Sequence, residues 1–209
     1  VPCIVASVVA NWISFRILGM EPAFSFPMKE MLPVGMIWAP VIVGIVGGIF
    51  GAVFNKGLLF ASTRMKRLPV PRYLIIFFAM VLALLAGLYN PILLGGGHGL
   101  IERLATTTVT GKALVAFFAI RMLLVWTGYG SGAQGGIFLP VLTLGALIGA
   151  LLHGVFIGTD IYYANFLYLG MAAILSSVVQ APLLSILLVS EMSGTMLQMI
   201  SVTTTAMIA

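Results

Sequence analysis

The chain has 209 residues, 61% of them hydrophobic and 7% charged, with a formal net charge of +5 and a mean hydropathy of +1.19. Soluble globular domains carry about 25% charged residues, so the composition excludes one and turns the basic excess from a nucleic-acid signal into a report on membrane topology. The single cysteine, Cys3, excludes an intrachain disulfide and a cysteine-built metal site.

The apolar runs are too long and too little alternating for barrel strands, so the chain reads as an all-α polytopic membrane protein. Val1 to Leu18 is apolar, with Asn11 and Arg16 near one end, and reads as the remainder of a span. The sequence has no initiator methionine, begins and ends in apolar stretches and shows no cleavable signal, so it reads as an excerpt of a longer protein. Gly19 to Pro33 is a polar connection carrying Glu21, Lys29 and Glu30. Val34 to Ser62 is a long apolar run, with Lys56 near its far end where the side chain can snorkel. Gly44, Gly47, Gly48 and Gly51 lie inside it at small-xxx-small spacings that let helices approach closely.

Thr63 to Arg72 reads as a loop. It holds Arg64, Lys66, Arg67 and Arg72, which place it in the cytoplasm. Tyr73 to Leu88 returns across the membrane, Tyr89 to Gly99 is a glycine-rich break, and Leu100 to Leu104 is a short helix with Glu102 and Arg103. Thr106 to Lys112 is polar and Ala113 to Thr127 is the next span, with Arg121 inside it. Gly128 to Pro140 (GYGSGAQGGIFLP) is an uncharged break, followed by spans over Leu139 to Ile157 and Tyr162 to Val179, with a polar turn around Gly158 to Asp160 between them. Gln180-Ala181-Pro182 breaks the pattern, Leu183 to Leu197 continues it, and Gln198 to Ala209 starts one more helix. Counting crossings from the basic loop puts residues 95–110 outside, 128–135 inside and 158–160 outside. Short and broken helices of this kind mark binding sites in transporters.

The break at 128–140 is the most informative stretch. Proline sits comfortably only in a helix's first turn, so Pro140 places the helix start near Ile137 and leaves the N–H groups of Ile137 and Phe138 without a carbonyl four residues behind. A helix N-terminus carries roughly +0.5 of an elementary charge and closes on anions. At membrane depth it must line a protein-enclosed or wet cavity, which makes this a re-entrant candidate anion site. A tight turn is the equally weighted alternative. The tetrapeptide itself is weak evidence, because Gly47-Gly48-Ile49-Phe50 repeats Gly135-Gly136-Ile137-Phe138 inside a continuous apolar run. Ser131 and Gln134 offer further donors, against the commoner reading of exposed loop polarity.

Other residues carry weaker signals. Gly95-Gly96-Gly97-His98-Gly99 offers a backbone nest or hinge with His98 as a proton carrier, against the commoner reading of an interfacial histidine; it lacks the Lys-Ser/Thr of a phosphate loop. Arg121 and Glu191 are the charges expected within spans. Such charges are functional candidates, or they pair with each other or cap a helix end. No Asp/His/Ser set stands at catalytic spacing, so no enzymatic activity is expected.

Three segments carry a resemblance. SGAQGGIFLPVLTLGALIGALL (Ser131 to Leu152) closely resembles the SGAPGGIFAP region of the CLC chloride channels and chloride/proton antiporters. QAPLLSILLVSEMSG (Gln180 to Gly194) is similar to that family's RAPLTGIILVLEMT, and GIVGGIFGAVFNKGLL (Gly44 to Leu59) resembles its GIIFGIFGPIFNKWVL. The resemblance implies that residues 1–209 form one transmembrane transport-domain fragment, the second half of a CLC-like subunit and half of an inverted-repeat transporter fold. It implies chloride as the bound and transported ion, with other halides or nitrate as related cargo and no cofactor or metal. Gly136 and the backbone N–H groups of Ile137 and Phe138 would bind the anion, and Ser131, Gly132, Gly135 and Pro140 would support the pore loop. It further implies a homodimer, with the first span and the helices after Pro182 near the subunit interface, and a position in lipid in the plasma (inner) membrane of a prokaryote.

The family's GSGIP-like serine, GREGP-like gating glutamate and inner proton-path glutamate belong to the other half of the subunit, and the pore tyrosine would lie beyond Ala209. Glu191 matches the inverted-repeat counterpart of the proton-path glutamate, so that role does not transfer to it. Gln134 stands where many members have proline. Channel and antiporter both remain open. A secondary transporter for another anion (fluoride included) and a non-transporting membrane scaffold are the rival expectations.

Overall fold

A computed structural model describes residues 2–19, 24, 30, 32–107, 109, 111–133, 135–157, 161–194 and 198–209. Among the described residues the regular structure is helical throughout, in nine α-helices and two short 3-10 turns. The helices are α1 (Pro2–Leu18), α2 (Trp38–Lys66), α3 (Arg72–Tyr89), α4 (His98–Thr106), α5 (Gly111–Gly130), α6 (Phe138–Phe156), α7 (Tyr163–Val179), α8 (Pro182–Ser193) and α9 (Met199–Ile208). Four of them, α2, α3, α5 and α6, are long and apolar enough to cross a membrane. At 29 residues α2 is roughly 43 Å long against a hydrocarbon core of about 30 Å, so it exceeds the length a crossing needs. At 9 and 12 residues, α4 and α8 are too short to cross alone. The chain has the all-α polytopic fold that its composition demands.

The centre of the fold is the pair α6 and α7. Every residue of α7 from Tyr163 to Ser176 is buried, as is α6 from Pro140 to Ala150. A helix that is apolar all round has no solvent face to spare and must sit inside the bundle. Small residues make the approach possible. A Cβ on Gly145 would meet the Gly170 carbonyl at 2.5 Å, and one on Gly149 would strike the carbonyl of Phe166. Lipid is as apolar as leucine, so this close backbone packing replaces the hydrophobic effect as the source of helix association. The glycine face of α2 packs on α7 and α9 in the same way. Gly47 lies against Ala173 and Gly44 against the Thr205 carbonyl, while the Ser177 hydroxyl donates to the Gly48 carbonyl at 3.1 Å. By contrast, α1 and α3 present most of their side chains outward, including Trp12, Phe77 and Leu88.

The helix ends differ from expectation in several places, among them the start of α2, which lies at Trp38 after a 3-10 turn and not at Val34. The basic loop is shorter than residues 63–72: α2 runs through Arg64 and Lys66, and α3 begins at Arg72. Cations in a last turn complement the unpaired carbonyls there, so they extend the helix and do not end it. The helix α5 likewise continues through Gly128 to Gly130. Thr127 Oγ1 donates back to the Leu123 carbonyl at 2.8 Å, and Gly130 packs against Ala61 and Met65 of α2, so packing overrides the weak propensity of glycine. Finally, α4 is longer than Leu100–Leu104, because Gly97 with φ +103° starts it and its carbonyl accepts from the N–H groups of Leu100 and Ile101. The expected turn at 158–160 and most of the 19–33 connection lie outside the described residues.

Candidate anion site at the start of the sixth helix

The site is built by the chain between α5 and α6. At the end of α5 the Ser131 N–H donates to the Thr127 carbonyl at 3.0 Å and the Gly132 N–H to the Tyr129 carbonyl at 3.0 Å. Gly132 then turns the chain with φ +82°, a left-handed conformation that favours glycine. Its carbonyl accepts from Arg72 Nη2 at 3.3 Å, which ties the loop to the start of α3. Ile137 stands at the N-cap of α6 with φ −78° and ψ −19°, has no side-chain cap, and its carbonyl takes the first helical bond, from Val141 N–H at 3.1 Å.

That arrangement leaves the first turn with open donors. Among the described residues no acceptor faces the N–H groups of Ile137, Phe138 or Leu139, and Pro140 has none to offer. Gly135 and Gly136 are exposed, and Ile137, Phe138 and Leu139 are half-buried. A Cβ on Gly136 would meet nothing within 4 Å. The geometry is a helix N-terminus whose amides can be reached over two bare glycines, beside half-buried apolar side chains. Such a terminus can take a small anion by hydrogen bonds and dipole alone.

The supporting residues divide. Gly132 makes the left-handed turn, Gly135 is exposed beside the helix start, and Pro140 is buried in the first turn of α6. Ser131 is different: its side chain is buried, its hydroxyl donates to the Gly128 carbonyl at 2.6 Å and accepts from Ala133 N–H at 3.4 Å. That hydroxyl hydrogen is committed to the loop and is not a spare anion donor. Gln134 lies outside the described residues.

The far side of the same helix start was not foreseen. The glycine-rich break at 95–97 folds against it, and Gly95, Gly96, Arg121, Tyr129, Gly136 and Pro140 line a cavity of about 280 Å³. Thr143 Oγ1 bonds to the carbonyls of Leu139 at 2.8 Å and Gly96 at 3.3 Å, stitching the two breaks together. Arg121 is only 3% exposed and its Nη1 donates to the Leu93 carbonyl at 2.7 Å. The expected pairing of Arg121 with Glu191 is absent, since Glu191 is exposed on α8 and the one ion pair among the described residues is His98–Glu102 at 3.6 Å. His98 stacks on Phe24 at 4.8 Å, half-exposed at the start of α4, and is not among the residues lining the cavity. A charged residue in the middle of an apolar run was the sequence signal for Arg121; nothing in one sequence shows which break it faces.

A larger cavity of about 520 Å³ lies among α2, α7 and α9. Three of its polar side chains are already bonded to neighbouring backbone. Ser176 Oγ donates to the Ala206 carbonyl at 2.6 Å, Ser177 Oγ to Gly48 and Asn55 Nδ2 to Val178. Those bonds make it a structural seam, and the start of α6 is the better site.

The family model described as voltage gated chloride channel matches residues 1–209. Over 200 residues the chain is 34% identical to the H(+)/Cl(-) exchange transporter ClcA of Vibrio campbellii, covering 91% of this chain and 42% of that protein. The protein of the same name from Vibrio parahaemolyticus is also 34% identical, with 43% of its length covered. Among solved structures, the X-ray crystal structure of a slow cyanobacterial Cl−/H+ antiporter superimposes with a TM-score of 0.83 at 27% identity, covering 96% of this chain and 48% of that one. The chain thus spans less than half the length of the relatives it matches.

Proposed function

The chain belongs to the voltage-gated chloride channel family, and from that premise we propose that it supplies half of a transmembrane chloride pathway, holding the ion on the backbone N–H groups of Ile137 and Phe138. The observation that carries this is the set of N–H groups at the start of α6 that meet no acceptor among the described residues, reached over Gly135 and Gly136. Hydrogen bonds to a charged partner contribute roughly 1.5–3 kcal/mol each. Two of them, offset by partial dehydration, suit a millimolar site at about −4 kcal/mol. A site of that strength lets the ion leave, as conduction and exchange both require. The exchanger names of the relatives favour coupled chloride/proton transport over a passive channel.

The same reading makes the working unit a homodimer of full-length subunits. The exposed Leu183, Leu184 and Leu187 of α8 and Ile4, Val8 and Trp12 of α1 supply apolar faces for a partner subunit or lipid. The test is ion efflux from proteoliposomes loaded with the full-length protein, with chloride against competing small carboxylates and fluoride. Chloride efflux that the competing anions do not replace is expected. Movement of a carboxylate or fluoride alone would transfer the site to another anion, and no flux at all would favour a scaffold.

A further inference from the structure

We infer that the cavity behind the start of α6 is a second anion position, distinct from the amides of Ile137 and Phe138, with the Arg121 guanidinium as its countercharge. Two independent features meet there. The first is Arg121 itself: it is 97% buried in the complement of its 3% exposure, and its Nε and Nη2 have no hydrogen-bond partner. Only Nη1 is anchored, on the Leu93 carbonyl. Among the described residues no carboxylate lies within ion-pair reach of it. A permanent cation inside an apolar bundle, with two of its three nitrogens unpartnered, is unstable unless something anionic or strongly polar meets them.

The second is the space. The cavity that Arg121 lines measures about 280 Å³, while a water molecule's share of liquid volume is about 30 Å³. It therefore holds a monatomic anion together with several waters. Its remaining polar surface comes from backbone, at Gly95, Gly96 and Gly136, and from Tyr129. Glycine is required at Gly97, where φ is +103° and a Cβ would collide with Arg121 Nη2 and Thr143 Oγ1. The chain is thus pared back around the guanidinium. A planar guanidinium presents its unpaired N–H groups in a fixed fork, which suits one ion held at one place.

A halide is the fitting occupant, because the cavity shares Gly136 and Pro140 with the proposed chloride site and is supplied by the same ion. The inference rests on the proposed function for that supply alone. Two positions around one helix start, one built from neutral dipoles and one from a fixed charge, let the second ion raise the local anion concentration beside the first.

The test is an anomalous-scattering map of the full-length protein crystallised in bromide, with and without Arg121→Met. Wild-type protein is expected to show a bromide within about 4 Å of Arg121 Nε or Nη2, the range over which opposite charges interact strongly. Arg121→Met should lose that peak, at least a tenfold fall in occupancy, and keep any peak at the Ile137 and Phe138 amides. Arg121→Lys should retain the charge but shift or weaken the peak. If Arg121→Met does not fold, the wild-type map decides alone. Bromide at the amides and none at Arg121 overturns this inference and leaves the proposed function standing. Bromide at Arg121 and none at the amides does the reverse. A carboxylate side chain from the rest of the subunit seated on Nε and Nη2 also overturns it.

Discussion

The same four residues, Gly-Gly-Ile-Phe, occur at 47–50 and at 135–138, and the fold places the two copies in opposite settings. In the first copy the peptide groups belong to the middle of α2, and the glycines exist to let another helix in: Gly47 is in contact with Ala173 and Gly48 with the Ala209 backbone. Phe50 lies edge-on to Phe118 at 5.2 Å, and Ile49 faces outward. In the second copy the glycines touch almost nothing, with Tyr129 Oη 3.5 Å from a Cβ on Gly135 and nothing near one on Gly136. There the peptide groups, and not the glycine faces, are what the fold leaves available. A tetrapeptide carries no function by itself; whether a carbonyl stands four residues behind it decides between packing and binding.

Substitutions that add one or more carbons sharpen this contrast. The largest effect is expected where backbone meets backbone. Gly149→Leu would drive a side chain into the Phe166 carbonyl of α7 and separate the two central helices, costing beyond about 3 kcal/mol, so the monodisperse peak in detergent chromatography should disappear. Gly47→Ala meets a methyl group on Ala173 and should cost about 1–3 kcal/mol, read as a fall in detergent melting temperature. Gly132→Ala forces a side chain into the left-handed region against Arg72, and should cost roughly 1–2 kcal/mol and loosen the loop before α6. Gly136→Ala has open space and an ordinary φ, so its melting temperature should stay within about 0.5 kcal/mol equivalent of wild type. If Gly136→Ala proved as damaging as Gly47→Ala, the two copies would share a packing role and the contrast would fail.

The spans were legible because lipid imposes long apolar runs, and α3, α6 and α7 fall within one residue of their expected bounds at each end. The start of α6 was legible for a sharper reason, since Pro140 can stand only in a first turn. The ends of α2 and α5 were not. Arg64 and Lys66 look like loop residues in a sequence yet serve a helix terminus, and Gly128 and Gly130 look like breakers yet are held in register by Thr127 and by α2. The meeting of the 95–97 and 135–140 breaks was illegible altogether. It is made by Thr143 and Arg121 reaching across to the carbonyls of Gly96 and Leu93, and such pairings leave no periodic trace along one chain. Ser131 offers a donor in the sequence, but its hydroxyl turns back to the Gly128 carbonyl three residues earlier.

The central claim is that the peptide N–H groups of Ile137 and Phe138 bind the ion, and its most direct test, made at the first of them, is chloride titration calorimetry of full-length Ile137→Pro beside Ile137→Ala. The wild-type φ of −78° at this position already matches a proline ring, and Gly136 before it is the least restricted residue type, so the helix start should survive the change. Both variants lose the isoleucine side chain, but only the proline loses the donor. Chloride affinity is expected to fall about tenfold or more in Ile137→Pro, the loss of one charge-assisted hydrogen bond, and to stay near wild type in Ile137→Ala. Equal affinity in the two variants, with both correctly folded, would contradict the account.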